Sequence, residues 1–222
     1  MIKYTVDIIY CLDATGSMDP IINTVKDNIE RFYNDYQKAL IKKGRTIDTL
    51  RIKIILFRDF YFDGDLALSI SDFYQLPEQT EHLLFFLNRI NAIGGGDEPE
   101  SGLEALDIAI SSDWNKIGDK KRQIIVLFTD ASAHKLDEVE IFRPINYPNY
   151  ISKNLDELTD KWESSLYMKE NSKRLIIFAP DVYPWREISN DWTNTIYYCS
   201  IAGQGLNEVE YSEILNSIIN SI

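Results

Sequence analysis

Residues 5–12 are almost continuously apolar, interrupted by a single charge, Asp7, near the start. Such a strand has no polar face to give to water. It must be covered on both sides, the situation of a central strand in a parallel sheet. Residues 123–129 repeat the pattern, and 51–57, 174–179 and 195–201 read as further strands. Parallel neighbours need long crossovers, and the intervening segments supply them. Between 19 and 43, Ile22, Val25, Ile29, Phe32, Tyr36 and Leu40 recur at spacings of three and four, which predicts a long amphipathic helix ended by Gly44. Shorter helices are predicted over 81–90, 101–111, 154–168 and 206–222. Residues 66–76 alternate loosely after the turn Asp63-Gly64-Asp65 and read as a hairpin partner of 51–57. The expected fold is α/β: a doubly wound, mostly parallel central sheet with one antiparallel edge strand and helices on both faces, forming one domain over residues 1–222.

Composition narrows the function. A chain of 222 residues, 45% of them hydrophobic, is long enough to bury about 70% of its unfolded surface. A formal charge of −12 argues against nucleic acid and against an anionic membrane as partners. No apolar run reaches the length of a membrane span, and residues 4–12 are too short for a signal-peptide core. Cys11 and Cys199, each in an apolar run, are expected to be buried reduced thiols, which points to a cytoplasmic address.

Three loops carry the chemistry. The first strand runs directly into Asp13-Ala14-Thr15-Gly16-Ser17-Met18, followed by Asp19-Pro20, which reads as a helix start with Asp19 as its cap. Asp13, Thr15 and Ser17 offer hard oxygen donors at alternate positions on a turn at a strand's C-terminal end, where open α/β sheets bind ligands. That set suits Mg²⁺, with Mn²⁺ or Ca²⁺ as alternatives, and zinc would call for His or Cys. Capping of the next helix by Thr15 and Ser17 is the competing explanation. The strand over 123–129 ends at Asp130, and the stretch Gly94-Gly95-Gly96-Asp97-Glu98-Pro99-Glu100 presents a third acid. Carboxylates gathered at one sheet edge repel unless a cation lies among them. Arg58-Asp59 reads as an ion pair beside these loops, His134 as a loop residue stacked on a neighbour, and Tyr147-Pro148-Asn149-Tyr150 as a possible partner contact.

These residues resemble the von Willebrand factor type A (vWA) domain with its metal-ion-dependent adhesion site, in the microbial stand-alone form. The family pattern is Asp-x-Ser/Thr-x-Ser after the first strand, a Thr or Asp from a second loop and an Asp after the fourth strand. Asp13-Ala14-Thr15-Gly16-Ser17 and Asp130 match it. The glycine-rich loop resembles the Gly-Gly-Asp-x-Pro-Glu version of microbial members and of the domain attached to some atypical kinases. The resemblance implies that Thr15 and Ser17 ligate the ion by hydroxyl, with Asp13 and Asp130 binding directly or through water. It places Asp97 where many members have Thr; Glu98 or Glu100 is an alternative ligand, and capping of the next helix an alternative role for Asp97. An added carboxylate neutralises more of the ion's charge, so a partner's own carboxylate would contribute less.

The expected function is a metal-dependent protein-interaction module, an adaptor or scaffold whose partner is another protein. Family analogy points to bacterial stress, resistance or defence systems. No nucleophile with a neighbouring base is visible, so an enzyme is not expected. The alternative is a Mg²⁺-dependent phosphohydrolase of the haloacid dehalogenase type with Asp13 as nucleophile. Such enzymes need a second Asp two positions on, and here that position is Thr15.

Overall fold

The computed structural model describes residues 2–94, 98–118 and 120–222. Its centre is β1 (Ile2–Asp13), flanked in parallel by β2 (Arg45–Phe57) and by β5 (Lys121–Phe128). Beyond β5 the sheet continues in parallel through β6 (Lys173–Pro180) to β7 (Thr195–Ser200). The order is β3-β2-β1-β5-β6-β7. The antiparallel edge is made by two short strands, β3 (Leu68–Ile70) and β4 (Tyr74–Leu76), which pair in succession with β2. The break falls at Ser71, whose backbone N–H donates to Ile54 O and whose Oγ accepts the Ile54 N–H. The expected mixed sheet is therefore present, with the antiparallel partner of β2 supplied in two pieces.

Helices cover both faces. On one side α1 (Asp19–Lys42) packs with α2 (Thr80–Leu87) and α6 (Tyr211–Asn220) over Val6, Ile8, Tyr10 and Leu12 of β1. On the other, α3 (Gly102–Ile110), α4 (Leu155–Glu163) and α5 (Trp185–Asp191) belong to the core that holds Ile9 and Cys11. Alternation along β1 thus feeds two separate cores, and each fully buried aliphatic or aromatic side chain contributes about 1.5–3 kcal/mol. All nine residues of α3 are buried, so this helix is interior and lacks the solvent face expected from Leu103, Leu106 and Ile110 alone. Among the described residues no helix is long and apolar enough to cross a membrane.

Three local expectations are corrected. Asp19 does not cap α1. A 3₁₀ turn, Gly16–Met18, carries the chain into the helix, Met18 takes the cap position, and Asp19 lies inside the first turn next to Pro20. Cys199 is exposed, because β7 is an edge strand with one strand neighbour, while Cys11 is buried in the sheet centre. Arg58 and Asp59 do not pair with each other, since each is engaged by other loops, as described next.

Candidate metal centre

Parallel pairing of β1 with β5 places Leu12 opposite Phe128, so the residues that follow both strands emerge side by side at one rim. Asp13 is fully buried there. Its Oδ1 accepts from the Thr15 backbone N–H (3.0 Å) and from Thr15 Oγ1 (2.7 Å). Its Oδ2 accepts from Thr129 Oγ1 (2.7 Å). Thr15 Oγ1 lies 3.5 Å from Ser17 Oγ, and Ser17 Oγ donates to Asp130 Oδ1 (3.1 Å). Four of the five expected ligands, Asp13, Thr15, Ser17 and Asp130, thus form one continuous hydrogen-bonded set. The fifth, Asp97, lies outside the described residues. Neither Thr15 nor Ser17 caps the helix with its hydroxyl, which removes the competing explanation for these residues.

Two further loops fix this set. Gly205 N donates to Asp130 Oδ2 (2.7 Å), and Gly203 N to Asp130 O (2.9 Å). At Gly205 φ is +61°, and an added Cβ would lie 1.9 Å from Ser17 O, so glycine is required twice over. Gly94, at φ +80°, brings its carbonyl to the Gly16 N–H (3.3 Å). Arg58 ties the loops together through carbonyls: Nε donates to Ala14 O (3.0 Å) and Ile93 O (2.7 Å), Nη1 to Leu66 O (2.7 Å) and Nη2 to Asn91 O (2.8 Å). Asp59 faces His134 (Nε2–Oδ1 3.1 Å), whose other nitrogen lies 2.8 Å from Glu138 Oε2. His134 stacks on Tyr61 at 4.5 Å as expected, and although burial lowers its pKa, the two carboxylates outweigh that and raise it. Tyr147 is buried and donates to Glu104 Oε1 (2.9 Å), so it is structural, whereas Tyr150 is exposed.

The electrostatics of the rim are those of a place short of positive charge. Burial pushes the Asp13 carboxyl up to about 6; the Thr15 and Thr129 hydrogen bonds oppose that, and Asp130 adds to it. Glu100 is pushed up to about 9, first by burial and then by Asp13, Asp59, Asp63 and Asp130. Its backbone is stitched to the Asp130 loop, Glu100 N donating to Ser132 O (2.9 Å) and His134 N to Glu100 O (3.0 Å). Yet Glu100 Oε2 is buried with no hydrogen-bond partner among the described residues. Among the described residues no Lys or Arg forms an ion pair with Asp13, Glu100 or Asp130. Glu98, the other alternative ligand, accepts from Ser132 Oγ (3.1 Å).

The donors present fit a hard divalent cation: two carboxylates and two hydroxyls converge, and the buried Glu100 Oε2 near them lacks a partner among the described residues. Among the described residues no group of three or more His, Cys, Asp or Glu is disposed to hold an ion. The hydroxyl–carboxylate set at the rim does not suit zinc, which would call for His or Cys. Thr129, the Gly203–Gly205 turn and the carbonyl-binding role of Arg58 add to the residues that the motifs point to. The signals were a polar residue closing an apolar run and a Gly-x-Gly after the last strand.

No family model matches the chain. It is 30% identical over 129 residues to alpha-protein kinase vwkA of Dictyostelium discoideum, covering 58% of this chain and 19% of that protein. It is 32% identical over 124 residues to von Willebrand factor A domain-containing protein 7 of Mus musculus, covering 55% of this chain and 11% of that protein. The aligned region therefore spans a fifth or less of these curated relatives. In fold, the chain superposes on the pilus adhesin SpaC of Lactobacillus rhamnosus GG with a TM-score of 0.57 at 12% identity, over 97% of this chain and 30% of the adhesin. Similarity in sequence to proteins named for a von Willebrand factor A domain, joined to this mixed, mostly parallel α/β sheet, supports a vWA domain in this chain.

Proposed function

We propose that the rim binds one divalent cation, Mg²⁺ by the hardness of its donors, and that the domain is a metal-dependent protein-interaction module. Thr15 and Ser17 would hold the ion by their hydroxyls, and Asp13 and Asp130 directly or through water. The ion would neutralise the crowded carboxylates and offer a charged contact to a partner. The observation that carries this reading is the unbroken set from Asp13 through Thr15 and Ser17 to Asp130, residues up to 117 positions apart, with no Lys or Arg ion-paired to its acids among the described residues. Mn²⁺ or Ca²⁺ would serve in place of Mg²⁺ on the same donors.

A binding role is favoured over the phosphohydrolase alternative because both oxygens of Asp13 already accept hydrogen bonds and position 15 offers a hydroxyl in place of a carboxyl acid. Two unpaired cysteines are in keeping with a reducing cytoplasm. The proposal includes the adaptor setting expected from family analogy, a subunit of a bacterial stress, resistance or defence system.

Thermal unfolding in rising Mg²⁺ tests the cation site. Binding to the native state alone at a hundredfold excess over Kd adds about 2.7 kcal/mol, or about 5–10 °C for a chain of this size. Asp13→Ala and Asp130→Ala should each abolish the shift. An unchanged melting temperature of the wild-type chain at millimolar Mg²⁺, Mn²⁺ and Ca²⁺ would reject the site.

A further inference from the structure

We propose that two loops beside the rim, residues 59–67 and 136–147, form a docking surface for a partner protein segment that combines apolar side chains with lysine or arginine. The inference rests on reading the domain as a protein-interaction module and adds the partner's chemistry. The loops follow β2 and β5, whose ends open on the same edge as Asp13 and Asp130.

The surface is a built platform. Phe60, Ala67 and Tyr147 bury a small core of their own beneath it, separate from the two main cores. Asn146 hydrogen-bonds Asp65 across the loops, and Arg58 N donates to Ala67 O (2.8 Å). The Tyr61 ring joins the two segments, 4.5 Å from His134 and 6.2 Å from Phe142. On this support stand five exposed apolar side chains: Phe62, Leu66, Ile141, Phe142 and Ile145, with Ile141 89% and Ile145 100% exposed. Apolar side chains gathered on well-anchored backbone mark an interaction site, since leaving them wet is costly.

Charge selects the occupant. The two loops carry Asp63, Asp65, Asp137, Glu138 and Glu140 against a single base, Arg143, while their sixth acid, Asp59, is buried against His134, which Glu138 also contacts. Arg143 is engaged within its own loop, its Nη2 donating to Pro148 O (3.2 Å) and Asn149 Oδ1 (2.8 Å). A cationic, apolar segment is complementary to this surface. An anionic lipid surface is repelled, and a second copy related by a two-fold axis would set acid against acid.

The test is anisotropy of a labelled amphipathic helical peptide of leucine and lysine titrated with the full chain, in Mg²⁺ and in EDTA. A leucine–glutamate peptide of the same pattern is the charge control. The expected result is saturable binding of the lysine peptide alone, weakened about tenfold each by Phe142→Ser and Ile145→Ser and unchanged by Phe85→Ser on α2. All three positions are exposed, so their melting temperatures should match the wild type. Any of four results overturns the proposal: no binding of the lysine peptide, equal binding of the glutamate peptide, unchanged binding by the Phe142→Ser/Ile145→Ser double variant, or self-association of the free chain that this variant abolishes. Loss of the metal reading shows separately, as absence of the Mg²⁺ thermal shift with lysine-peptide binding intact.

Discussion

Two buried aspartates on one strand are treated in opposite ways. Asp7, near the start of β1, is held by Arg51 through two bonds (Nε–Oδ1 2.8 Å, Nη2–Oδ2 2.6 Å) and by the Asn115 backbone N–H (2.6 Å). Asp13, six residues on, is fully buried among hydroxyls and other acids and has no ion-pair partner among the described residues. The fold can place an arginine beside a buried carboxylate when structure is all that is needed. At the other end of the strand it instead brings Asp130 and Glu100 close and uses Arg58 on carbonyls. The difference is what a rim built to take its balancing charge from a bound cation, as proposed above, would show.

The largest effect should come from the balanced end. Arg51→Ala leaves Asp7 buried and uncompensated, and denaturant unfolding should show a loss of about 3 kcal/mol, with or without Mg²⁺. At the rim, Gly205→Ala should cost about 2 kcal/mol, because the new Cβ meets Ser17 O, and it should also weaken Mg²⁺ binding. Gly44→Ala, at a similar positive φ but with nothing within 4 Å, should cost only about 1 kcal/mol and leave Mg²⁺ binding intact.

Smaller effects sharpen the contrast. In EDTA, Asp13→Asn should leave the melting temperature equal to or above the wild type, since it removes one of the crowded charges. In Mg²⁺ the order should reverse. A lower melting temperature of this variant in EDTA would show that the charge on Asp13 supports the metal-free fold. The pH dependence follows from the same groups. Asp13 and Glu100 have folded-state pKa values raised from 3.8 to about 6 and from 4.5 to about 9. Stability from a raised carboxyl is present below its unfolded pKa and lost as pH rises through the folded one. The metal-free protein should therefore lose stability from about pH 4 to 9, while the Mg²⁺-induced shift grows over that interval because the ligands bind deprotonated. A thermal scan series in both buffers measures the two slopes.

Much of this was legible in the sequence because it lies in short-range pattern. The apolar run before Asp13 and the one before Asp130 specify strands buried on both faces, and a parallel sheet then brings their ends to one edge. Alternate oxygens at 13, 15 and 17 on a turn are also a local signal. What escaped depends on neighbours distant in sequence. The exposure of Cys199 follows from β7 being an edge, and no feature of 195–201 states its rank in the sheet. The clamp from Gly203 and Gly205 onto Asp130 joins residues more than 70 positions apart through backbone groups, which leave no side-chain signature. Arg58 beside Asp59 looks like a pair because adjacency in sequence suggests one, yet the backbone turns their side chains to different loops.

Calorimetric titration of the full chain with Mg²⁺ puts the central idea at greatest risk, since it counts ions directly and needs no partner. One ion per chain should bind the wild type and the Arg51→Lys variant, and none should bind Asp13→Ala or Asp130→Ala. Absence of binding to the wild type, or equal binding by the two rim variants, would contradict a cation shared by residues 13, 15, 17 and 130.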